Sequence, residues 1–264
     1  MDLDLVIVGG GNMGAALLGG LLAAGRDASA LGVVETLADR RSQLAAAFPG
    51  VTIAPDVPPC AAAVVAVKPP DVPAAIAAAV AAGATRVLSI AAGVPLAALQ
   101  AAAAPSTAIV RAMPNTPALV GQGVSAIAGG ATAGPDDVEW AAGVLGAVGT
   151  VERVAETHLD AVTALTGSGP AYLFLVAEAL VDAAVLAGLP RELATRMTTQ
   201  LFVGSSALLA DRGDAAGLRA MVTSPGGTTA AGVQALEHRA VRSAFAEAVT
   251  AAAARSAELG SVAR

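Results

Sequence analysis

A single cysteine, Cys60, leaves no internal partner for a disulfide, so packing alone must hold the fold, and a reducing compartment suits it. Two histidines, His158 and His238, lie far apart and lack neighbours at ligand spacing, so no metal is expected. Aromatic residues make up only 2% of the 264 positions, the net charge is −6, and no basic stripe is visible, which excludes nucleic acid as a partner. The start, Met1-Asp-Leu-Asp4, carries no basic region of the kind that opens a secretory signal, so a cytoplasmic protein is expected. Hydrophobic residues reach 55% and the mean hydropathy is +0.68, but the apolar stretches are interrupted. Residues 72–94 contain Gly83, Thr85, Arg86 and Ser89, and residues 171–189 contain Glu178 and Asp182. No uninterrupted run of about 20 apolar residues remains, so neither a membrane-spanning helix nor a membrane partner is expected.

Glycine is abundant, at 29 residues, and two of its clusters carry chemistry. The first follows the run Leu5-Val-Ile-Val8 and reads Gly9-Gly-Gly-Asn-Met-Gly14 before an apolar segment with helical character. Strand, glycine turn and helix in this order, with glycines 9, 11 and 14 spaced G-x-G-x-x-G, form the fingerprint of a dinucleotide-binding unit. A second apolar run ends in Glu35, about 20 residues past Gly14, where a carboxylate can bind a ribose 2′-hydroxyl. Arg40 and Arg41 follow closely and can instead receive a 2′-phosphate, so the choice between NADPH and NADH stays open.

The second cluster is Ser224-Pro-Gly-Gly-Thr-Thr229, ahead of an apolar run with helical spacing. Glycines 226 and 227 permit close approach of backbone amides, and Ser224, Thr228 and Thr229 add hydroxyl donors, a set suited to a small anion. The plainer alternative is a capped helix entry after a Pro-Gly turn.

Between these clusters, short β-branched runs at residues 5–8, 30–34, 63–67, 86–90, 108–111, 124–128 and 150–154 alternate with alanine-rich helical segments. That alternation predicts a doubly wound, mostly parallel sheet with ligands at the strands' carboxyl ends. The segments Gly9–Gly14, residues 68–70 and 91–93, and residues 113–117 all fall at such ends. From residue 156 the strand signal stops, and long helices are expected over roughly 170–188, 190–211 and 239–259, with a loop at 212–216. The expected division is a dinucleotide-binding Rossmann domain over 1–155 and an all-helical domain over 156–264. The helices have so few polar positions that a second subunit is expected to cover one face.

Taken together, Val8–Gly14, Ala66-Val-Lys-Pro69, Ser89–Gly93, Arg111-Ala-Met-Pro-Asn-Thr-Pro117, Asp160–Tyr172 and Thr223–Thr229 resemble the pyrroline-5-carboxylate reductase family over essentially the whole chain. The resemblance implies reduction of L-1-pyrroline-5-carboxylate to L-proline, the last step of proline biosynthesis, with NADPH or NADH. It also implies an intertwined homodimer, in some members a pentamer of dimers. By the same resemblance, Val8, Gly9, Gly10, Gly11, Asn12, Met13, Ala66, Val67, Lys68, Pro69 and Asn115 line the cofactor, beside the Glu35 already noted. Ser224, Gly226, Gly227, Thr228 and Thr229 hold the substrate, with Thr229 catalytic near the ring nitrogen.

Two departures from the family pattern stand out. The stretch Asp211-Arg-Gly-Asp214 lacks the His-Pro that many members carry upstream of the second glycine loop, and no Asn near Asp56-Val57 matches one near the adenosine phosphate. A β-hydroxyacid dehydrogenase shares the domain order but needs a lysine acid/base on the first long helix after the sheet, and no lysine follows Lys68.

Overall fold

Short runs of Val, Ile, Leu and Ala make strands here because both of their faces are covered. A computed structural model describes residues 2–262 and contains one sheet built from β1 (Leu5–Val8), β2 (Leu31–Val34), β3 (Thr52–Ala54), β4 (Ala62–Val65), β5 (Arg86–Ser89), β6 (Ala108–Met113), β7 (Gly123–Gly129) and β8 (Gly149–Arg153). Their spatial order is β3-β2-β1-β4-β5-β6-β7-β8, parallel throughout except for the β6–β7 pair. Continuous apolar runs rather than alternating ones are what a parallel sheet buried on both sides requires.

The period of two then sorts each strand between two cores. Val6, Val8, Ala63, Val65 and Val87 face one layer, with Val72, Ile76, Leu96 and Leu99 packed on it. Leu5, Ile7, Ala62, Val64 and Leu88 face the other, with Leu17, Leu18, Leu21, Leu44 and Val144. Helices α1 (Asn12–Ala23), α2 (Ala38–Ala47) and α5 (Pro135–Gly146) supply the second layer, and α3 (Val72–Ala81) and α4 (Leu96–Ala101) the first. Burying Leu17, Leu18 and Leu21 completely is worth about 1.5–3 kcal/mol each.

Strand β1 sits between β2 and β4, so the connections wind outward in both directions from the β1/β4 pair. Such a reversal opens a crevice at the carboxyl ends of the two strands. The expected doubly wound, largely parallel sheet is thus borne out. The short β3 was not expected, since residues 52–54 are half exposed and carry no apolar run. Strand β4 stops at Val65, which leaves Ala66, Val67 and Lys68 in the following loop rather than in the strand.

The chain divides into two compact units, one running to Ser168 and including the segment from Thr250 onward, the other Gly169–Val249. In the first unit, the short helix α6 (Leu159–Val162) passes into a π-turn, Thr163–Gly167. Ser256, on helix α11 (Val241–Val262), donates to the Asp160 carboxylate at 2.6 Å.

The second unit is helical: α7 (Gly169–Leu186), α8 (Arg191–Arg212), α9 (Ala215–Met221), α10 (Thr228–His238) and the start of α11. The loop expected at 212–216 shrinks to a two-residue joint. Gly213, at φ +68°, ends α8 in the left-handed region, and Asp214 caps α9 by accepting from the Gly217 amide at 2.9 Å. Helices α7 and α8 leave a groove of about 610 Å³ between them, lined by Phe174, Val181, Phe202 and Val203 with the Asp182–Arg191 ion pair at its edge. Their apolar side chains are largely uncovered: Phe174 is 64% and Leu201 55% exposed.

From Glu156 to Leu186 the chain runs as a short 3-10 turn, α6, the π-turn and, after a bend at Ser168, α7. By length and composition alone this stretch is apolar enough to cross a membrane, a test that a core helix also passes.

Candidate active site

The crevice above β1 and β4 is built by backbone. Gly9 leaves β1 at φ +116°, donating its amide to the Val34 carbonyl at 2.9 Å. A Cβ on Gly9 would lie 2.6 Å from the Ala66 carbonyl oxygen, so the loops after β1 and β4 touch there. At Gly14 a Cβ would run into the Gly9 carbonyl oxygen, which is how helix α1 comes close enough to start on top of the strand. Gly11 differs: a Cβ there would meet nothing within 4 Å, so open space lies above it. Gly11 is also the N-cap of α1, in extended conformation and with no side-chain cap, so the first-turn amides lack a side-chain acceptor. Open space over a glycine and uncapped helix amides together fit a dinucleotide pyrophosphate.

Most of the predicted cofactor residues lie around this crevice. Val8 is buried at the end of β1, Asn12 is exposed at the first position of α1, and Met13 is half-buried beside it. Ala66, Val67, Lys68 and Pro69 form the loop beside Gly9, with Lys68 exposed and capping the short turn Pro69–Asp71. Glu35 follows β2, and a Cβ on Gly10 would lie 3.2 Å from its Oε2, so the carboxylate borders the glycine loop. The Arg40 Nε donates to the Gly10 carbonyl at 2.8 Å, tying the same loop to α2, a link the sequence does not advertise.

Asn115 is buried at the carboxyl end of β6, where its carboxamide has structural partners. Its Oδ1 accepts from the Val124 amide at 2.9 Å, and its Nδ2 donates to the Thr166 carbonyl at 3.1 Å. The second contact reaches the π-turn, so the side chain ties two loops at that end of the sheet. A Cβ on Gly167 of the same turn would lie 2.6 Å from the Met113 Cε, so the end of that side chain packs directly on the turn.

An ion pair missed in the sequence, with a buried arginine and a half-buried glutamate, supports the same rim. Arg111, on β6, donates from NH1 to Glu156 Oε1 at 2.9 Å, and that oxygen also accepts the Leu96 amide at 2.6 Å. One carboxylate thus ties β6, the start of α4 and the entry to the helical run. Cys60 offers no nucleophile: burial first, and Asp2 second, push its thiol above the ordinary range.

In the second unit, Gly226 turns at φ +68° and Gly227 forms the N-cap of α10 in extended conformation, with no side-chain cap. Ser224 therefore does not cap the helix. Its hydroxyl lies against Gly227, and its carbonyl accepts the Gly227 amide at 3.1 Å. Thr228 opens α10 exposed and Thr229 follows half-buried. The turn presents hydroxyls and uncapped amides together, the pattern an anionic group uses.

The chain is similar to known proteins in sequence and fold over nearly its whole length. Residues 156–259 match the family described as pyrroline-5-carboxylate reductase dimerisation, and residues 4–93 match the one described as NADP oxidoreductase, coenzyme F420-dependent. A pyrroline-5-carboxylate reductase of Mycobacterium tuberculosis is 44% identical, covering 97% of this chain and 96% of its own. One from Synechocystis is also 44% identical, over 98% of this chain and 99% of its own. Among solved structures, the pyrroline-5-carboxylate reductase of Coxiella burnetii superposes with TM-score 0.90 at 33% identity, covering 98% of this chain and 99% of that one. The pyrroline carboxylate reductase of Plasmodium falciparum, with NADP bound, gives 0.83 at 27% identity over 98% of each chain.

Proposed function

The chain belongs to the pyrroline-5-carboxylate reductase family, and we infer that it reduces L-1-pyrroline-5-carboxylate to L-proline with NADPH or NADH, completing proline biosynthesis. The observation that carries this reading is the open crevice over Gly11 at the β1/β4 reversal, within a chain alike to these reductases from end to end.

The dinucleotide, when bound, supplies the hydride, and the residues' own tasks are binding and orientation. Gly10, Gly11, Asn12 and Met13 hold the pyrophosphate on backbone amides, Gly9 makes the turn that brings them there, and Ala66–Pro69 close the adjacent wall. Asn115 acts by keeping the rim in place through Val124 and Thr166.

The substrate is a cyclic imine with one carboxylate. Attack at the imine carbon is easier when the ring nitrogen is protonated, and that proton stays on the product amine. We assign the carboxylate to the turn Ser224–Thr229, with Gly226 and Gly227 giving backbone access and Thr228 a hydroxyl. The Thr229 hydroxyl hydrogen-bonds the ring nitrogen as its charge changes. No histidine, thiolate or metal enters this scheme.

Thr229→Ala is expected to lower kcat about tenfold while the Kd for NADH or NADPH stays unchanged, the loss of one neutral hydrogen bond at the reacting atom. Equal losses in both would remove its substrate-side role. Oxidation of NADPH or NADH should depend on added pyrroline-5-carboxylate; folded protein inactive with both would end the assignment.

The assembly we propose is a homodimer through α7 and α8, with a pentamer of dimers as the larger option, working in the cytoplasm. The uncovered Phe174, Leu201 and Val203 and the matched dimerisation family support it. Burying Leu201 is worth about 1.5–3 kcal/mol per copy, counted twice across a two-fold axis. Leu201→Glu should therefore raise the dimer Kd about a hundredfold or more, read by sedimentation in detergent-free buffer. An unchanged dimer would exclude this face, and a wild type that stays in solution only with detergent would favour a membrane for Glu156–Leu186.

A further inference from the structure

Resting on the reductase reading, we propose that the last turns of α11 hold the nicotinamide end of the crevice in shape, with Ser256 as the positioning residue. The pyrophosphate seat lies over β1, and β2 flanks it on one side, so the adenosine half of an extended dinucleotide runs toward β2. The other half crosses to the side of β4 and β5, where the loop after β5, residues 90–95, forms the edge.

That loop is pinned at both ends and turned in the middle. The Ile90 amide donates to the Val65 carbonyl at 3.0 Å, and the Leu96 amide meets Glu156. Between them Gly93 stands at φ +76°, in the left-handed region. Ala91 and Val94 face inward, in the same buried cluster as Leu159 of α6. The end of α11 covers the turn from the other side. A Cβ on Gly93 would lie 3.6 Å from the Leu259 Cβ, and one on Gly260 would lie 3.2 Å from the Gly93 carbonyl oxygen. Helix and loop therefore meet backbone to backbone, an approach that a bulky side chain at 260 would hold apart.

Ser256 decides where this end of the helix lies. It sits about one turn before Gly260, is 6% exposed, and donates to the Asp160 carboxylate at 2.6 Å, a short bond to a charged acceptor. Asp160 belongs to α6, whose Leu159 already packs with Ala91 and Val94. The loop is thus gripped by α6 on one side and α11 on the other, and one hydrogen bond ties the two together. Without it the loop spends less time in the shape that receives the nicotinamide, and apparent affinity falls with that fraction. The adenosine half rests on other strands and keeps its seat.

Binding without substrate tests this. Fluorescence titration with NADH and NADPH identifies the dinucleotide that wild type binds more tightly. Competition then measures ADP-ribose, or its 2′-phosphate where NADPH is that ligand; both lack the nicotinamide. Ser256→Ala and Asp160→Ala should each raise the dinucleotide Kd about fivefold and leave that of the ADP-ribose compound within about twofold. The double variant should lose no more than either single one, since all three lack the same bond. Asp160→Asn keeps an oxygen that accepts from Ser256 and should restore most of the affinity. Gly260→Val wedges α11 off the Gly93 carbonyl while Ser256 and Asp160 remain, and should repeat the selective loss. An unchanged dinucleotide Kd in either Ser256→Ala or Gly260→Val overturns the proposal, as do equal losses of dinucleotide and ADP-ribose. Dinucleotide binding without reduction of pyrroline-5-carboxylate overturns the reductase reading, while the two Kd values still decide this one; wild type that binds neither dinucleotide overturns both.

Discussion

Gly14→Ala is expected to weaken NADH or NADPH binding by a hundredfold or more and to lower stability by about 3 kcal/mol. The new methyl would run into the carbonyl oxygen of Gly9 and come within 3.3 Å of the Ile7 side chain. Its main obstacle is backbone, which cannot swing aside as a side chain can. Either the turn at Gly9 opens or α1 lifts from the sheet. Lifting α1 loosens Leu17, Leu18 and Leu21, all fully buried. Gly11→Ala provides the contrast, because a methyl there meets nothing within 4 Å. Stability should stay within about 1 kcal/mol of wild type, the ordinary range for an open site, while dinucleotide binding is still lost. Urea denaturation and fluorescence titration of the two variants read both quantities. Wild-type binding by Gly14→Ala would show that the glycine loop does not form the cofactor seat.

The second large effect concerns Arg111 and Glu156. The arginine side chain is 9% exposed and the glutamate 35%, so the two halves of the pair are not equivalent. Glu156→Leu leaves a buried guanidinium without its countercharge and orphans the Leu96 amide, at a cost of about 3–5 kcal/mol. Arg111→Met removes the buried charge and leaves a carboxylate that water reaches and Leu96 still satisfies. Its cost should be smaller, about 1–2 kcal/mol. The double variant should fall well short of the sum of the two, because the penalty for an unpaired charge disappears with the charge. Denaturant midpoints for the three proteins test this ordering. A larger loss from Arg111→Met than from Glu156→Leu would mean that the pair serves as a packing element and not as a compensated charge.

Much of the sheet was readable because its signals are local. The run Leu5–Val8, the glycines at 9, 11 and 14 and the Ala-rich helix after them are neighbours in sequence, and their spacing alone dictates strand, turn and helix. The same holds for Gly226 and Gly227 ahead of α10. Strand β3 escaped notice because Thr52–Ala54 pairs along one edge of the sheet and is not apolar enough to declare itself. The long helix expected over roughly 170–188 is α7, and what escaped was the π-turn ahead of it, because nothing in Thr163–Gly167 marks such a turn locally.

Sequence by itself determined the order of strands and helices, the two glycine turns and the family, since each rests on residues a few positions apart whose backbone preferences act before any long-range contact forms. Only the tertiary structure decided which groups those turns would face. Arg111 meets Glu156 across 45 positions, Ser256 meets Asp160 across 96, and Arg40 reaches back 30 to Gly10. Nothing in the spacing of such residues pairs them; the sheet order and the helix layers bring them within hydrogen-bonding distance, where burial makes each partner necessary to the other.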